Sequence, residues 1–138
     1  MSSNRSLFAA LVGGVVVFLV GGLFYGWLLA DFFAANQAAA GVMREPEDVD
    51  YVHLFLGQMV LGAFLAVVID KWARVGGVVP GLKIGAISGL MIALGYDLTL
   101  FGVTNMANIT ATLVDPFVAL IQMACAGAAI GAVLGERK

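Results

Sequence analysis

The sequence predicts an all-α integral membrane protein, a four-transmembrane-helix antiparallel bundle with both termini cytoplasmic. Three features point there. Of 138 residues, 62% are hydrophobic and only 12% charged, with a mean hydropathy of +1.01, so a water-soluble fold would lack the polar surface to cover itself. Four apolar stretches approach or exceed the roughly 20 residues that span a bilayer as a helix, and none alternates polar with apolar as barrel strands do. All Lys and Arg except Arg44 fall before the first stretch, between the second and third, or after the fourth, which are the cytoplasmic positions under the positive-inside rule.

A single domain, 1–138, uses the whole length, with helices at about 6–35, 50–72, 82–104 and 112–135. The first stretch runs uncharged from Ser6 to Ala30, well beyond the roughly 7–15 residue core of a signal peptide, so a retained helix is expected. It continues past Asp31 through Phe32-Phe33-Ala34-Ala35, because alanine favours helix and no breaker intervenes before Gly41. The loop 36–49 is acidic and read as outer; Pro46 interrupts it, and Asp48 or Asp50 suits the N-cap of the second helix. Gly76-Gly77 and Pro80-Gly81 form the cytoplasmic turn, and Trp27 and Trp72 sit where interfacial anchors belong. The connection from Asn105 to Ala111 is short, which makes the last two helices antiparallel neighbours. Cys125, the only cysteine, excludes an intramolecular disulfide and reads as a small packing residue.

Two rows of glycine carry the expected packing. Gly81, Gly85, Gly89 and Ala93 recur every fourth residue in the third helix, and Gly127, Gly131 and Gly135 do so in the fourth. In lipid such rows let two backbones approach closely. Pairing Gly85 with Gly131 sets Gly81 opposite Gly135 and Gly89 opposite Gly127. The first helix has its own row of Gly14, Phe18, Gly22 and Gly26, available to another helix or a second subunit.

Continued outward, the two rows reach Asp97 and Asp115. In that register Asp115 is level with Phe101, so the acids differ in depth by about 6 Å and Asp97 is the deeper. A carboxylate in a span costs at least about 2.5 kcal/mol at the centre and normally faces a partner, water or a proton. Tyr96, Asn105, Asn108, His53, Gln58 and Asp50 lie at the outer ends of their helices, and an outward polar cavity collecting them is the economical arrangement. These are the ligand or ion-binding candidates. The simpler alternative is that Asp115, next to Pro116, caps the fourth helix and Asp97 hydrogen-bonds across the bundle.

No close ligand spacing supports a metal site, no cofactor motif is present, and neither Ser88 nor Cys125 has a base beside it, so a non-enzymatic role is expected. Nothing points to nucleic acid. Membrane lipids are the expected partners, with a homo-oligomer or a larger membrane complex. The preferred reading is a structural or accessory module that holds lipid or a small ligand in its outer cavity. The alternative is a small transporter or channel moving a proton or cation through Asp97 and Asp115.

The run Gly22-Leu23-Phe24-Tyr25-Gly26, then Asp31-Phe32-Phe33-Ala34-Ala35-Asn36, and Tyr96-Asp97-Leu98 with Thr104-Asn105, resembles a group of small, uncharacterised, Bacteroidota-like bacterial inner-membrane proteins. The resemblance covers most of the chain and implies the bundle and the bacterial inner membrane. It implies no activity and no catalytic residue.

Overall fold

A computed structural model describes residues 3–136. Within them the chain is helical with no strand beyond one isolated bridge, Gln37 to Ala107. The elements are α1 (Ser3–Leu23), α2 (Ala30–Ala35), α3 (Tyr51–Val67), α4 (Val78–Val103) and α5 (Ile109–Leu134). Five-residue π-helical turns, Phe24–Leu28 and Val68–Trp72, extend α1 and α3. Four continuous helices, Ser3–Leu28, Tyr51–Trp72, Val78–Val103 and Ile109–Leu134, are long and apolar enough to cross a membrane.

The expected unbroken first helix is interrupted. Leu29 leaves helical geometry (φ −118°, ψ 13°) while its N–H reaches back five residues to the Phe24 carbonyl at 2.7 Å. The wide turn adds a residue to the helix, so everything beyond it points to a different face from the one the α1 periodicity implies. Downstream, Pro80 and Gly81 belong to the first turns of α4 and not to the preceding loop. Proline is tolerated there because N–H groups in the first turn have no helical acceptor. Helix α5 begins at Ile109, capped by Asn108, whose side-chain oxygen accepts from the Ala111 N–H at 3.0 Å. Asp115 therefore lies inside α5 and does not cap it.

Helix α5 is the centre of the packing. It lies against α4 on one side and α1 on the other, and α1 in turn carries α3. Of its membrane-length window 44% is buried, against 22% or less for the other three helices. The α4–α5 contact is backbone on backbone: a Cβ on Gly81 would meet Gly127 and Gly131, one on Gly85 would meet Met123 and Ala124, and one on Gly89 would meet Ala119. The glycine rows thus do face each other, but shifted from the expected pairing by about two turns. Gly135 is not part of the seam. It ends α5 at φ +70° beside the Arg5 guanidinium, and Arg5 Nε donates to the Val133 carbonyl at 2.7 Å, a cation at the negative end of the helix dipole.

The expected Gly14–Phe18–Gly22–Gly26 row on α1 is replaced by Gly13, Gly14, Val17 and Gly21. Gly14 meets Met59 and Gly62 of α3, Gly13 meets Ile130, and Gly21 meets the Gln122 amide. Gly22 and Gly26 face open space. A helix of 3.6 residues per turn keeps contact by mixing steps of three and four, so a strict four-residue row drifts off its partner. Cys125 is likewise exposed, between buried Ala124 and Ala126, and not a packing residue.

An apolar core of Ala9, Val17, Leu65, Ala66, Ile69, Met123, Ala126, Ile130 and Leu134 fills the α1–α3–α5 interface. At the end where α1 begins and α5 ends, Asp70 is buried, accepting from Ser6 Oγ at 2.6 Å and pairing with Lys71 at 2.9 Å. Arg137 and Lys138, counted in the charge argument, lie outside the described residues.

Candidate functional site

At the opposite end, where the 36–49 loop lies, the elements do not close on one another. Between α2, that loop, the last turns of α4 and the first turns of α5 is a cavity of about 700 Å³. Its wall includes Tyr25, Asp31, Phe33, Asn36, Phe101 and Thr112, and both Asp97 and Asp115 line it.

The register of the glycine seam decides how the acids sit. With Gly81 on Gly127 and Gly89 on Ala119, Asp115 falls level with Ala93, so it lies deeper than Asp97 by about 6 Å, the reverse of the expected order. The two carboxyls still lie close enough to act on each other. Ionised, both are acceptors only, so neither satisfies the other; Asp97 Oδ2 is shut off from solvent and receives no hydrogen bond. Asp115 does have a donor. The Tyr25 hydroxyl, from the π-turn, donates to its Oδ1 at 2.6 Å, and the Tyr25 ring leans on Phe33 at 5.2 Å. Among the described residues no Lys, Arg or His pairs with Asp97 or Asp115, and no group of three His, Cys, Asp or Glu is placed to hold a metal ion.

Pro116 follows directly and is fully buried. Having no N–H, it deprives the carbonyl of Thr112 of the donor that a regular helix supplies. At the edge of the cavity two asparagines join the end of α2 to the start of α5. Asn36 accepts from Asn108 Nδ2 at 2.8 Å through its side chain and from the Asn108 N–H at 3.1 Å through its backbone, and Ala38 N–H reaches the Met106 carbonyl at 3.3 Å.

The other expected site residues lie elsewhere. His53 is on the exposed first turn of α3, its ring 2.7 Å from Asp50. Asp50 caps that helix, and the His53 N–H it accepts, with the His53 ring beside it, holds its carboxyl below the usual carboxylate range. Tyr96 and Asn105 are exposed, Tyr96 at 63%, and neither lines the cavity. Asn108 is committed to capping and to Asn36. Gln58 is nearer mid-span, where its side-chain oxygen accepts from Gln122 Nε2 at 3.3 Å; Gln122 also donates to the Val17 carbonyl at 2.8 Å. Position at a helix end places a residue at the right depth but leaves its direction around the axis free, which is why these side chains miss the cavity.

Tyr25 and Asn36 are the partners that sequence reasoning passed over. One signal was present: Tyr25 lies one turn beyond Gly21 and Asp115 two turns before Gln122, so the Gly21–Gln122 contact directs both toward the same end of the bundle. That inference needs α1 to touch α5, which only the fold supplies.

Fold and site together define an all-helical chain with four helices long and apolar enough to cross a membrane and an acid-floored cavity at one end. Comparison with protein-family models, with curated proteins and with solved structures finds no match for this chain.

Proposed function

We propose that the chain is a non-enzymatic membrane module that accommodates a small ligand or a lipid in this cavity, facing outward from a bacterial inner membrane. The observation that carries the reading is the cavity itself. Its volume of about 700 Å³ falls in the usual range of small-molecule sites, and its floor is a carboxylate pair with no basic partner among the described residues. The far half is closed by contrast: glycine lets the α4 and α5 backbones touch, and the apolar core seals α1 against α3 and α5.

An antiparallel bundle with both termini cytoplasmic is supported by two features. The contact partners of α4 descend along α5 from Gly131 to Ala119 as α4 ascends from Gly81 to Gly89. Arg5, Lys71 and Arg74 gather at the end opposite the cavity. The remaining apolar faces of α3 and α4 meet lipid, a second copy or a larger membrane complex.

Native mass spectrometry of the protein released from its membrane tests this. A molecule retained at one per chain by the native protein and lost in Ala34→Trp, which fills the cavity from an exposed wall position, is the expected result. Identical spectra for the two proteins, with no retained molecule, would leave a purely structural role.

One observation favours the alternative of proton or cation transport: the Gln58–Gln122 pair continues polar groups from Asp115 toward mid-span. Against it stands the apolar core below that pair, with Leu65 and Ile130 fully buried. Flux in proteoliposomes that is lost in Asp97→Asn and Asp115→Asn would establish transport and displace the binding reading.

A further inference from the structure

Resting on the cavity reading, we infer that the occupant is an organic cation, an ammonium-type group carried on an apolar body. The argument begins with charge. Asp31, Glu45, Asp97 and Asp115 line the cavity against a single basic residue, Arg44, whose guanidinium donates to the Asp48 carbonyl in the loop. The two acids on the floor have no ion-pair partner among the described residues, and one oxygen of Asp97 is hidden from solvent without a donor. A carboxylate at this depth in a span needs a countercharge, water or a proton. Around the acid pair the cavity accepts hydrogen bonds and does not give them, since the Tyr25 hydroxyl is engaged by Asp115 and the Asn36, Thr104 and Thr112 side chains donate to backbone carbonyls. The side-chain donors left in the wall, Gln37, Arg44 and Tyr51, come from the loop and the start of α3 and make no hydrogen bond to either acid, so an anion at the floor faces two carboxylates.

Size and wall chemistry separate an organic cation from a bare ion. A metal or alkali ion occupies a small fraction of about 700 Å³ and wants several oxygens converging on one point, whereas no metal-holding group of acids or histidine is present among the described residues. The wall that remains is apolar and aromatic: Tyr25 and Phe33, in ring contact, face the cavity together with Phe101. Aromatic faces beside carboxylates are the combination that attracts alkylammonium and phosphonium groups. The ammonium group has two natural sources, the headgroup of an amine-bearing lipid and a free amphiphilic amine, and the chemistry of the site is the same for both.

The test is binding to the full-length protein in a non-ionic detergent, corrected for empty micelles. The soluble probes are tetraphenylphosphonium, its anionic isostere tetraphenylborate, and neutral triphenylphosphine oxide. Phosphatidylethanolamine and phosphatidylglycerol form the lipid arm. Saturable one-to-one binding of the phosphonium is expected, weakened roughly tenfold or more by Asp97→Asn and by Asp115→Asn, with no binding of the borate and no effect of Glu47→Gln outside the cavity. Preference of the native protein for the phosphonium over both the borate and the neutral oxide keeps the test decisive if an Asn variant fails to fold. Retention of phosphatidylethanolamine over phosphatidylglycerol, lost in the same Asp variants, supports the inference and assigns the cation to a lipid. Equal binding of the neutral oxide and the phosphonium, indifferent to the Asp variants, overturns the cation inference while leaving the ligand cavity standing. No retention of any probe or lipid overturns both.

Discussion

The Tyr25 hydroxyl donates to Asp115 Oδ1 across 2.6 Å, tying the π-turn that follows α1 to the second turn of α5. Among the described residues it is the one direct donor to the acid pair, and it joins elements that are 90 residues apart in the chain. Because Tyr25 is 37% exposed, the bond is worth less than a fully buried one. Tyr25→Phe is expected to lower stability by about 1 kcal/mol, the scale of side-chain hydrogen bonds between membrane helices. Reversible unfolding in mixed micelles measures it, and an unchanged midpoint would mean that the bond does not persist in a lipid-like solvent.

The glycines divide into two sets that a scan separates. A methyl on Gly62 would overlap the Gly14 backbone, and one on Gly81 would overlap Gly127, so alanine at either position forces the helices apart. A loss of about 1–3 kcal/mol is expected at each. Gly22 and Gly95 have open space where a methyl would go. Alanine there should be neutral or stabilising by about 0.5–1 kcal/mol, through the conformational freedom that glycine loses on folding. Equal effects in the two sets would refute the assigned seams.

Gln122 is buried with its amide nitrogen directed at two acceptors, the Val17 carbonyl and the Gln58 side-chain oxygen. Leucine removes the donor but leaves the Val17 carbonyl within its own helix, whereas glutamate at neutral pH places a third acceptor among acceptors. Stability is expected to fall in the order native, Gln122→Leu, Gln122→Glu, with about 1–3 kcal/mol separating the last from the native protein. Glutamate above leucine in an unfolding series would show that water enters this level of the bundle.

The Asp50–His53 cap gives a pH signature outside the spans. Hydrogen bonding to His53 lowers the Asp50 carboxyl from its ordinary 3.8 in the folded protein. The unfolded chain therefore takes up the proton first as pH falls, and the stabilisation, fully present above 3.8, disappears as pH drops through the lower folded value. Asp50→Asn should flatten this acid limb of the stability curve without altering it near neutrality. Persistence of the full limb in the variant would assign it to other carboxyls.

The proposed orientation is open to labelling. With the 36–49 loop outside, Glu47→Cys in intact cells should react with a membrane-impermeant maleimide, while Arg74→Cys should react only after the membrane is permeabilised. Native Cys125 is exposed on α5 toward the apolar surroundings and should stay unlabelled by the impermeant reagent in both. The reverse pattern would invert the bundle and turn the cavity toward the cytoplasm.

Sequence alone determines that this chain forms four long apolar helices, because helix length and side-chain transfer energy are local properties that no partner is needed to evaluate. It also determines that glycines of α4 and α5 meet and that Asp97 and Asp115 come near each other, since small residues leave backbone contact as the main gain in lipid and the acids continue the same rows. The tertiary structure decided the rest: a register that puts Asp115 deeper than Asp97, the Tyr25 and Asn36 partners, the burial of Asp70, and the separation of His53 and Tyr96 from the cavity. Those outcomes depend on rotation and sliding of each helix against its neighbours. One added residue at a π-turn, or a slide of about two turns, leaves hydropathy unchanged while it redirects the polar side chains beyond it.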